Sequence, residues 1–114
     1  MMKIAISFII ALSALHGLVA QKQTNETDYR KALLVDVRTP QEFAEGSVLG
    51  AINIPLHEIQ TRLNEFKTDR PVVVFCRSGA RSARAEQILR QHGITNVING
   101  GTWMEVDMKL KRQR

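Results

Sequence analysis

Residues 71–93 constrain the fold of this 114-residue chain more than any other stretch. Four apolar residues, 72–75, have the length and β-branching of a buried strand. The run ends on Cys76, the only cysteine. After Ser82, apolar or small residues recur at helical spacing, at Ala85, Ile88 and Leu89, before Gly93 stops the pattern. The stretch therefore predicts a strand, a tight loop that carries a thiol, and a helix.

A similar strand-and-helix unit stands earlier in the chain. Four apolar residues predict a short strand, namely Leu33, Leu34, Val35 and Val37. Thr39, Pro40 and Glu42 then supply the N-cap, the first-turn proline and the reach-back carboxylate of a capping box, which starts a helix. Phe43 is expected to face the core, and Gly46 ends the helix. A strand followed at once by a capped helix begins an α/β unit.

The rest of the chain continues this alternation. Residues 51–54 predict a brief strand that Pro55 closes. Apolar side chains at helical spacing then predict a second helix, and they are Leu56, Ile59, Leu63 and Phe66. Residues 94–98 predict a further strand that ends at Gly100 and Gly101. We therefore predict an α/β fold with a central, mostly parallel sheet and helices on both faces.

Ligands of parallel sheets gather outside the carboxyl ends of the strands, and the architecture brings such ends to one edge. Three strand ends can be placed there, at residues 36–38, 76–81 and 100–103. Beyond the last of them, Thr102 and Glu105 form another capping box, so a terminal helix is predicted over residues 103–110. Trp103 is interpreted as a packing residue near the rim of the site.

The N-terminus has the pattern of a secretory signal. Lys3 precedes an apolar stretch, and small residues follow up to Ala20. We predict a signal peptide over residues 1–20, a flexible lead-in over 21–30, one domain over 31–108 and a basic tail over 109–114. An uncleaved anchor is the alternative, but the apolar core is shorter than the ~20 residues of a spanning helix. The protein is thus expected to be exported, without stable membrane insertion after cleavage.

The lone thiol limits the chemistry. Backbone N–H groups of the turn and the dipole of the following helix both favour negative charge, so Cys76 is expected to be a thiolate nucleophile. An inert buried cysteine or an intermolecular disulfide is the alternative, since a secreted lone thiol has no intramolecular partner. A thiol oxidoreductase is disfavoured because no second cysteine exists.

Other function classes find less support in the sequence. The histidines are His16, His57 and His92. None has a second metal ligand at useful spacing, so neither a metal nor another cofactor is expected. The net charge of +5 helps to attract small anions but does not by itself indicate nucleic acid. Arg84 and Arg90 are interpreted as a solvated helix face. The basic tail is interpreted as a frayed helix end, with attraction to an anionic membrane or polyanion as the alternative.

Several unlinked blocks in a fixed order now indicate a family. They are LLVDVRTPQEFAEG, GAINIP, and VVVFCRSGARSARAEQILRQHGITNVINGG followed by Trp103. Together they make the chain resemble a single-domain rhodanese of the exported, periplasmic type, a sulfurtransferase, over about residues 32–103. The resemblance implies a small rhodanese-like α/β domain with a central, mostly parallel sheet.

The resemblance also implies an activity. Cys76 would accept the outer sulfur of thiosulfate, become a persulfide, and pass the sulfur to cyanide, to a thiol or to a protein acceptor. The substrate would be held by the loop residues Arg77, Ser78, Gly79, Ala80, Arg81 and Ser82. Asp36 and Arg38 match supporting positions of the family, where hydrogen bonds to neighbouring loops are expected. Ser47 departs from the family, which often has histidine at that position.

Two functions from other classes are the alternatives. A persulfide carrier or partner-binding module would hold sulfur yet turn over little thiosulfate. Related cysteine phosphatases and arsenate reductases place an arginine six positions after the cysteine, where this chain has Ser82. Because the arginine is Arg81 instead, the loop resembles the shorter sulfurtransferase version, and a phosphatase is disfavoured.

Overall fold

The computed structural model describes residues 26–114, so the predicted signal peptide and the start of the lead-in lie outside the described residues. In this part of the chain, strands alternate with α-helices in the order β1 (Leu33–Asp36), α1 (Pro40–Glu45), β2 (Ile52–Asn53), β3 (Val72–Cys76), α2 (Ala80–Gln91), β4 (Val97–Thr102) and α3 (Trp103–Gln113). Short 3₁₀-helices occupy Tyr29–Lys31, Leu56–Thr61 and Leu63–Phe66.

The strands form one sheet in the order β2-β1-β3-β4, and every neighbouring pair is parallel. This confirms the predicted fold class. β3 lies in the centre and is buried along its whole length, as its unbroken apolar run indicates. Asp36 of β1 lies opposite Phe75 of β3. The carboxyl ends of β1 and β3 therefore meet at one edge of the sheet, where Cys76 also lies.

Apolar clusters cover both faces of the sheet. On one face, α2 and the two 3₁₀-helices that follow β2 bury Ile59, Phe66, Ala85 and Leu89. On the other face, α3 and the first 3₁₀-helix bury Tyr29, Val106 and Leu110. Successive residues of β3 serve opposite faces, since Val74 belongs to the first cluster and Val73 to the second. The α-helix α1 buries no residue completely, so Phe43 is only half-buried.

The α-helix predicted over residues 56–66 is wrong in type. Its backbone forms two 3₁₀-helices that meet at Arg62, whose φ of −124° lies outside helical geometry. Side chains three residues apart align on one side of a 3₁₀-helix. The pairs Leu56 with Ile59 and Leu63 with Phe66 therefore face the core in either kind of helix. That shared spacing is why the sequence pattern did not distinguish them.

The strand predicted over residues 94–98 lies further along the chain, at Val97–Thr102, and includes both glycines that were expected to end it. Its register with β3 shifts at Gly100, which creates a β-bulge. A Cβ added at Gly100 would lie 2.6 Å from Val106 Cγ2. The glycine therefore allows α3 to pack closely against the sheet.

The helices α1 and α2 begin differently, since α1 has a side-chain cap and α2 begins after Gly79 without one. The capping box predicted for α1 is confirmed, because Thr39 accepts from the Glu42 N–H and the Glu42 carboxylate accepts from the Thr39 N–H. The helix predicted to start after Ser82 begins earlier, at Ala80. The loop between β3 and α2 is therefore only three residues long, and Arg81 and Ser82 belong to the first turn of α2.

The two ends of the described chain pack together. α3 extends beyond the predicted residue 110 to Gln113, whose side-chain amide accepts from the Tyr29 N–H at 2.8 Å and donates to the Thr27 carbonyl at 2.9 Å. Lys109 lies 4.7 Å from the centre of the Tyr29 ring. These contacts bury Tyr29 against α3. Within residues 26–114, no helix has the length and apolar character needed to cross a membrane.

Candidate active site

The thiol of Cys76 is buried between the end of β3 and the start of α2. The Gly79 N–H donates to Sγ at 3.0 Å, and the Ser82 N–H donates at 3.4 Å. The Ser82 hydroxyl also lies 3.4 Å from Sγ. Gly79 has a φ of +92°, a left-handed conformation that glycine adopts without strain. The short loop and the first turn of the helix thus surround one sulfur with hydrogen-bond donors.

Two opposing effects act on the pKa of Cys76. Burial disfavours the charged thiolate and raises the pKa. Hydrogen bonds from the Ser82 hydroxyl and from the N–H groups of Ser82, Ser78 and Gly79 stabilise the negative charge and lower it. The hydrogen bonds prevail, so the pKa lies below its ordinary value. The thiolate nucleophile consequently forms more readily than in an unperturbed cysteine.

Removing the Ser82 hydroxyl should raise the pKa of Cys76. In Ser82→Ala the donor that lowers this pKa most is lost, while the N–H groups of Ser82, Ser78 and Gly79 remain. The ultraviolet absorbance of the thiolate, followed against pH with Cys76→Ser as the blank, should therefore show its transition at higher pH than in the wild-type protein. The pH at which sulfur uptake becomes fast should also rise, because only the thiolate attacks.

The matched control for that experiment is Ser78→Ala. Ser78 stabilises the thiolate through its backbone N–H alone, and its side chain is exposed. Its replacement should leave the transition where it is. Equal transitions in Ser82→Ala and the wild-type protein would show that the hydroxyl does not stabilise the thiolate.

Asp36 and Arg38 form a buried ion pair at the end of β1. Arg38 Nη2 lies 2.7 Å from Asp36 Oδ2, and Arg38 Nε lies 3.0 Å from both carboxylate oxygens. The Ser47 hydroxyl donates to the same carboxylate at 2.7 Å, and Arg38 also donates to the Gly46 carbonyl at 2.6 Å. Asp36 and Arg38 thus hold the segment after α1 against β1. Neither side chain has a hydrogen bond with Cys76 in the described structure.

Arg81 is held by a carboxylate from the first α/β unit. Its two terminal nitrogens lie 2.7 Å and 3.0 Å from the two carboxylate oxygens of Glu42. The hydrogen bond from Arg81 lowers the pKa of Glu42 to about 2, so this carboxylate is ionised at neutral pH. The sequence indicated Glu42 only as a capping residue. The predicted convergence of strand ends was the signal that could have paired it with Arg81.

Arg77 has a different setting from Arg81. Its side chain is exposed on the loop, and within residues 26–114 it forms no salt bridge and no side-chain hydrogen bond. An unpaired guanidinium has a planar set of donors suited to an oxyanion. Ser78 and Ala80 are also exposed at this position, beside half-buried Gly79. The loop therefore presents one free arginine to solvent and keeps the other in an ion pair.

The predicted strand ends do converge in space. The Ser82 hydroxyl lies 3.4 Å from the Gly101 carbonyl of β4, which joins the loop to the third strand end. Arg38 lies 5.4 Å from the centre of the half-buried Trp103 ring, which joins the first strand end to the third. In residues 26–114, no group of three or more His, Cys, Asp and Glu side chains stands close enough to hold a metal ion.

This arrangement suits covalent chemistry at sulfur. A buried thiolate with several donors can also carry a second sulfur atom, because the same N–H groups would stabilise the negative charge of a persulfide. An anionic sulfur compound can approach the exposed Arg77. The site thus combines a nucleophile, donors for its charged forms and a cation for an anionic substrate.

Known proteins are similar to this chain in sequence and in fold. A Bacillus subtilis protein named uncharacterized protein YqhL is 52% identical over 71 residues, which are 62% of this chain and 56% of that protein. Thiosulfate sulfurtransferase PspE of Escherichia coli is 38% identical over 76 residues, covering 65% of this chain and 73% of the relative. The chain therefore spans little more than half the length of the Bacillus relative.

A solved structure described as rhodanese with anions from E. coli superimposes with a TM-score of 0.60. It is 37% identical, and the match covers 65% of this chain and 89% of that one. The family described as rhodanese-like domain matches residues 18–102, which include every strand and the whole loop around Cys76. From the match, the parallel sheet and the loop together, we conclude that this chain belongs to the rhodanese-like family of sulfurtransferases and sulfur carriers.

Proposed function

We propose that this protein is a thiosulfate sulfurtransferase that works through a persulfide on Cys76. The observation that carries the proposal is the set of donors around Sγ, with the Gly79 N–H at 3.0 Å and the Ser82 N–H and hydroxyl at 3.4 Å. The E. coli relative named thiosulfate sulfurtransferase supports the choice of donor.

The first half of the reaction loads the cysteine. The Cys76 thiolate attacks the outer sulfur of thiosulfate, and a new bond forms between Sγ and that sulfur. The bond between the two thiosulfate sulfurs breaks, and its electron pair leaves with sulfite. The proposed role of Arg77 is to bind the incoming anion and the departing sulfite. Neither a metal nor a redox cofactor is needed, because the thiolate, thiosulfate, persulfide and sulfite balance in atoms and electrons.

The second half unloads the cysteine. Cyanide or a thiolate attacks the outer sulfur of the persulfide, and the bond from that sulfur to Sγ breaks. Its electron pair returns to Cys76 as the thiolate, and the product is thiocyanate or a new persulfide. The donors that stabilise the thiolate make Cys76 a good leaving group in this step.

Incubation of the purified protein with thiosulfate and cyanide should yield thiocyanate and sulfite in equal amounts. With thiosulfate alone, mass spectrometry should find one additional sulfur atom on Cys76. Both results follow from the two half-reactions, since each sulfur accepted releases one sulfite. Absence of thiocyanate together with absence of the added sulfur would refute the proposal.

One observation favours a persulfide carrier as the second candidate. Arg81, one of the two arginines expected to bind thiosulfate, is already paired through both terminal nitrogens with Glu42. The positive charge available to the thiosulfate dianion is therefore smaller than the sequence suggests. A carrier would take sulfur from inorganic polysulfide or another persulfide yet release little sulfite from thiosulfate. Measuring Cys76 loading from both donors distinguishes the two candidates.

The cellular location rests on the sequence alone. The pattern over residues 1–20 predicts export, and we propose an exported protein on that basis. We also propose that a protein partner can receive the sulfur from Cys76.

A further inference from the structure

A cleft of about 420 Å³ lies beside the cysteine loop, on the face of the sheet covered by α2. Its walls come from the segments that follow β1 and β2, including the 3₁₀-helix Leu56–Thr61, and from α2. Arg81 is part of both the cleft and the first turn of α2, directly before the Ser82 N–H that contacts Sγ. Val37 lines the cleft and belongs to the same buried cluster as Cys76. The cleft therefore lies beside the loop that holds Cys76, and Cys76 is not part of its lining.

The wall of the cleft is largely apolar. Val37, Pro55, Leu56 and Ile88 supply its apolar surface, which offers an organic chain more contact than a small, strongly hydrated dianion could use. Thiosulfate needs donors rather than aliphatic surface. The cleft thus suits the second substrate, the sulfur acceptor, better than the donor.

The charges around the cleft leave one cation uncompensated. Arg81 is paired with Glu42, and Arg38 is paired with Asp36. His57 lies 3.7 Å from the carboxylate of Glu58. Arg84 is exposed, and its hydrogen bond is to the neutral side chain of Gln87 at 2.8 Å.

Among residues 26–114, no carboxylate lines the cleft. The interpretation of Arg84 as part of a solvated helix face is therefore incomplete, because its guanidinium also stands at the wall of an apolar cleft.

We propose that the cleft binds the sulfur acceptor, and that this acceptor is an organic thiol with an apolar chain and one negative group that pairs with Arg84. The inference rests on the proposed transfer of sulfur through Cys76. Arg81 and Arg84 are neighbours one turn apart on α2, so a chain of about five carbon atoms would reach from the loop to Arg84. The outer sulfur of a Cys76 persulfide extends about 2 Å beyond Sγ, which shortens the distance that the thiol of the acceptor must span.

The transfer step balances without another reactant. The thiolate of the acceptor attacks the outer sulfur of the persulfide and forms a sulfur–sulfur bond to it. The bond from that sulfur to Sγ breaks, and its electron pair remains on Cys76 as the thiolate. Arg84 takes no part in bond making. It positions the acceptor by holding the negative group at the far end of the chain.

A pair of probes that differ in charge tests the proposal. Mercaptohexanoate and mercaptohexanol each carry a thiol at one end, and the other end is a carboxylate or a neutral hydroxyl. The full chain is loaded with inorganic polysulfide, and mass spectrometry follows the loss of the added sulfur from Cys76. At low probe concentration, the wild-type protein should react about five- to tenfold faster with mercaptohexanoate, because Arg84 binds its carboxylate.

Arg84→Gln should bring the rates for the two probes within about twofold, and Arg84→Glu should reverse the preference. Arg112→Gln is the matched control, since it removes one exposed positive charge from α3, which covers the opposite face of the sheet. It should keep the preference, which separates binding at Arg84 from the general attraction of a basic protein for anions.

The two levels of the proposal fail in different ways. If neither thiosulfate nor polysulfide adds sulfur to Cys76, the proposed transfer of sulfur through Cys76 fails. If the persulfide forms but the wild-type protein reacts equally with both probes, or if Arg84→Gln retains the preference, the cleft does not select an anionic acceptor.

Discussion

Cys76→Ser is expected to abolish sulfur transfer, reducing thiocyanate formation by at least about a thousandfold. A serine hydroxyl at this position has nearly the same size, but it is not ionised at neutral pH and cannot form a persulfide. The chain has a single cysteine, so no second thiol can substitute for it. Thiocyanate production and the intact mass after treatment with thiosulfate measure the loss.

The fold should survive this substitution, because the donors around the sulfur also suit a hydroxyl oxygen. The midpoint of urea unfolding, measured beside the activity, serves as the control. Thiocyanate formation by a folded Cys76→Ser protein at more than a small fraction of the wild-type rate would show that the sulfur does not pass through Cys76.

Arg38→Met should lower the free energy of unfolding by about 3–5 kcal/mol. Arg38 is 5% exposed and Asp36 is fully buried, so removal of the guanidinium leaves a carboxylate buried without its ion-pair partner. The Ser47 hydroxyl donates to this carboxylate and compensates only in part. Unfolding in guanidinium chloride, monitored by circular dichroism, measures the change in free energy.

The comparison variant is Arg62→Met, which removes a salt bridge of Arg62 with Glu58 and Glu65 at the surface. That bridge is partly exposed, and its loss should cost less than about 1 kcal/mol. The double variant Asp36→Asn with Arg38→Met has no unpaired buried carboxylate, so part of the lost stability should return. A cost for Arg38→Met as small as that for Arg62→Met would mean that the pair does not stabilise the fold.

Local signals in the sequence predicted most of the fold. The capping box at Thr39 and Glu42 involves residues three positions apart and forms as expected. The apolar run before Cys76 becomes the central strand, because a β-branched run without charges is stable only when both faces are covered. Where the local signal was shared by two structures, as for the spacing of Leu56 and Ile59, the prediction of an α-helix failed.

The candidate site was less predictable, because its contacts join distant parts of the chain. Glu42 meets Arg81 across 39 positions, and neither residue carries a local sign of this pairing. In the sequence, Arg84 is one of several exposed helical arginines. Its place at the cleft depends on the packing of the segments after β1 and β2 against α2. Arg81 is paired and Arg77 is exposed because, of these two arginines, Glu42 of α1 contacts only Arg81, and this contact depends on the tertiary structure.

The sequence by itself determined the alternation of strands and helices and the position of the only thiol at the end of a strand. Those features follow from periodicity, capping and loop length, which act over a few residues. Only the tertiary structure decided that the Ser82 hydroxyl lies at Sγ, that Glu42 neutralises Arg81 and that Arg84 borders an apolar cleft. These relations depend on the parallel sheet, which brings the carboxyl ends of strands that are distant in the chain to one edge.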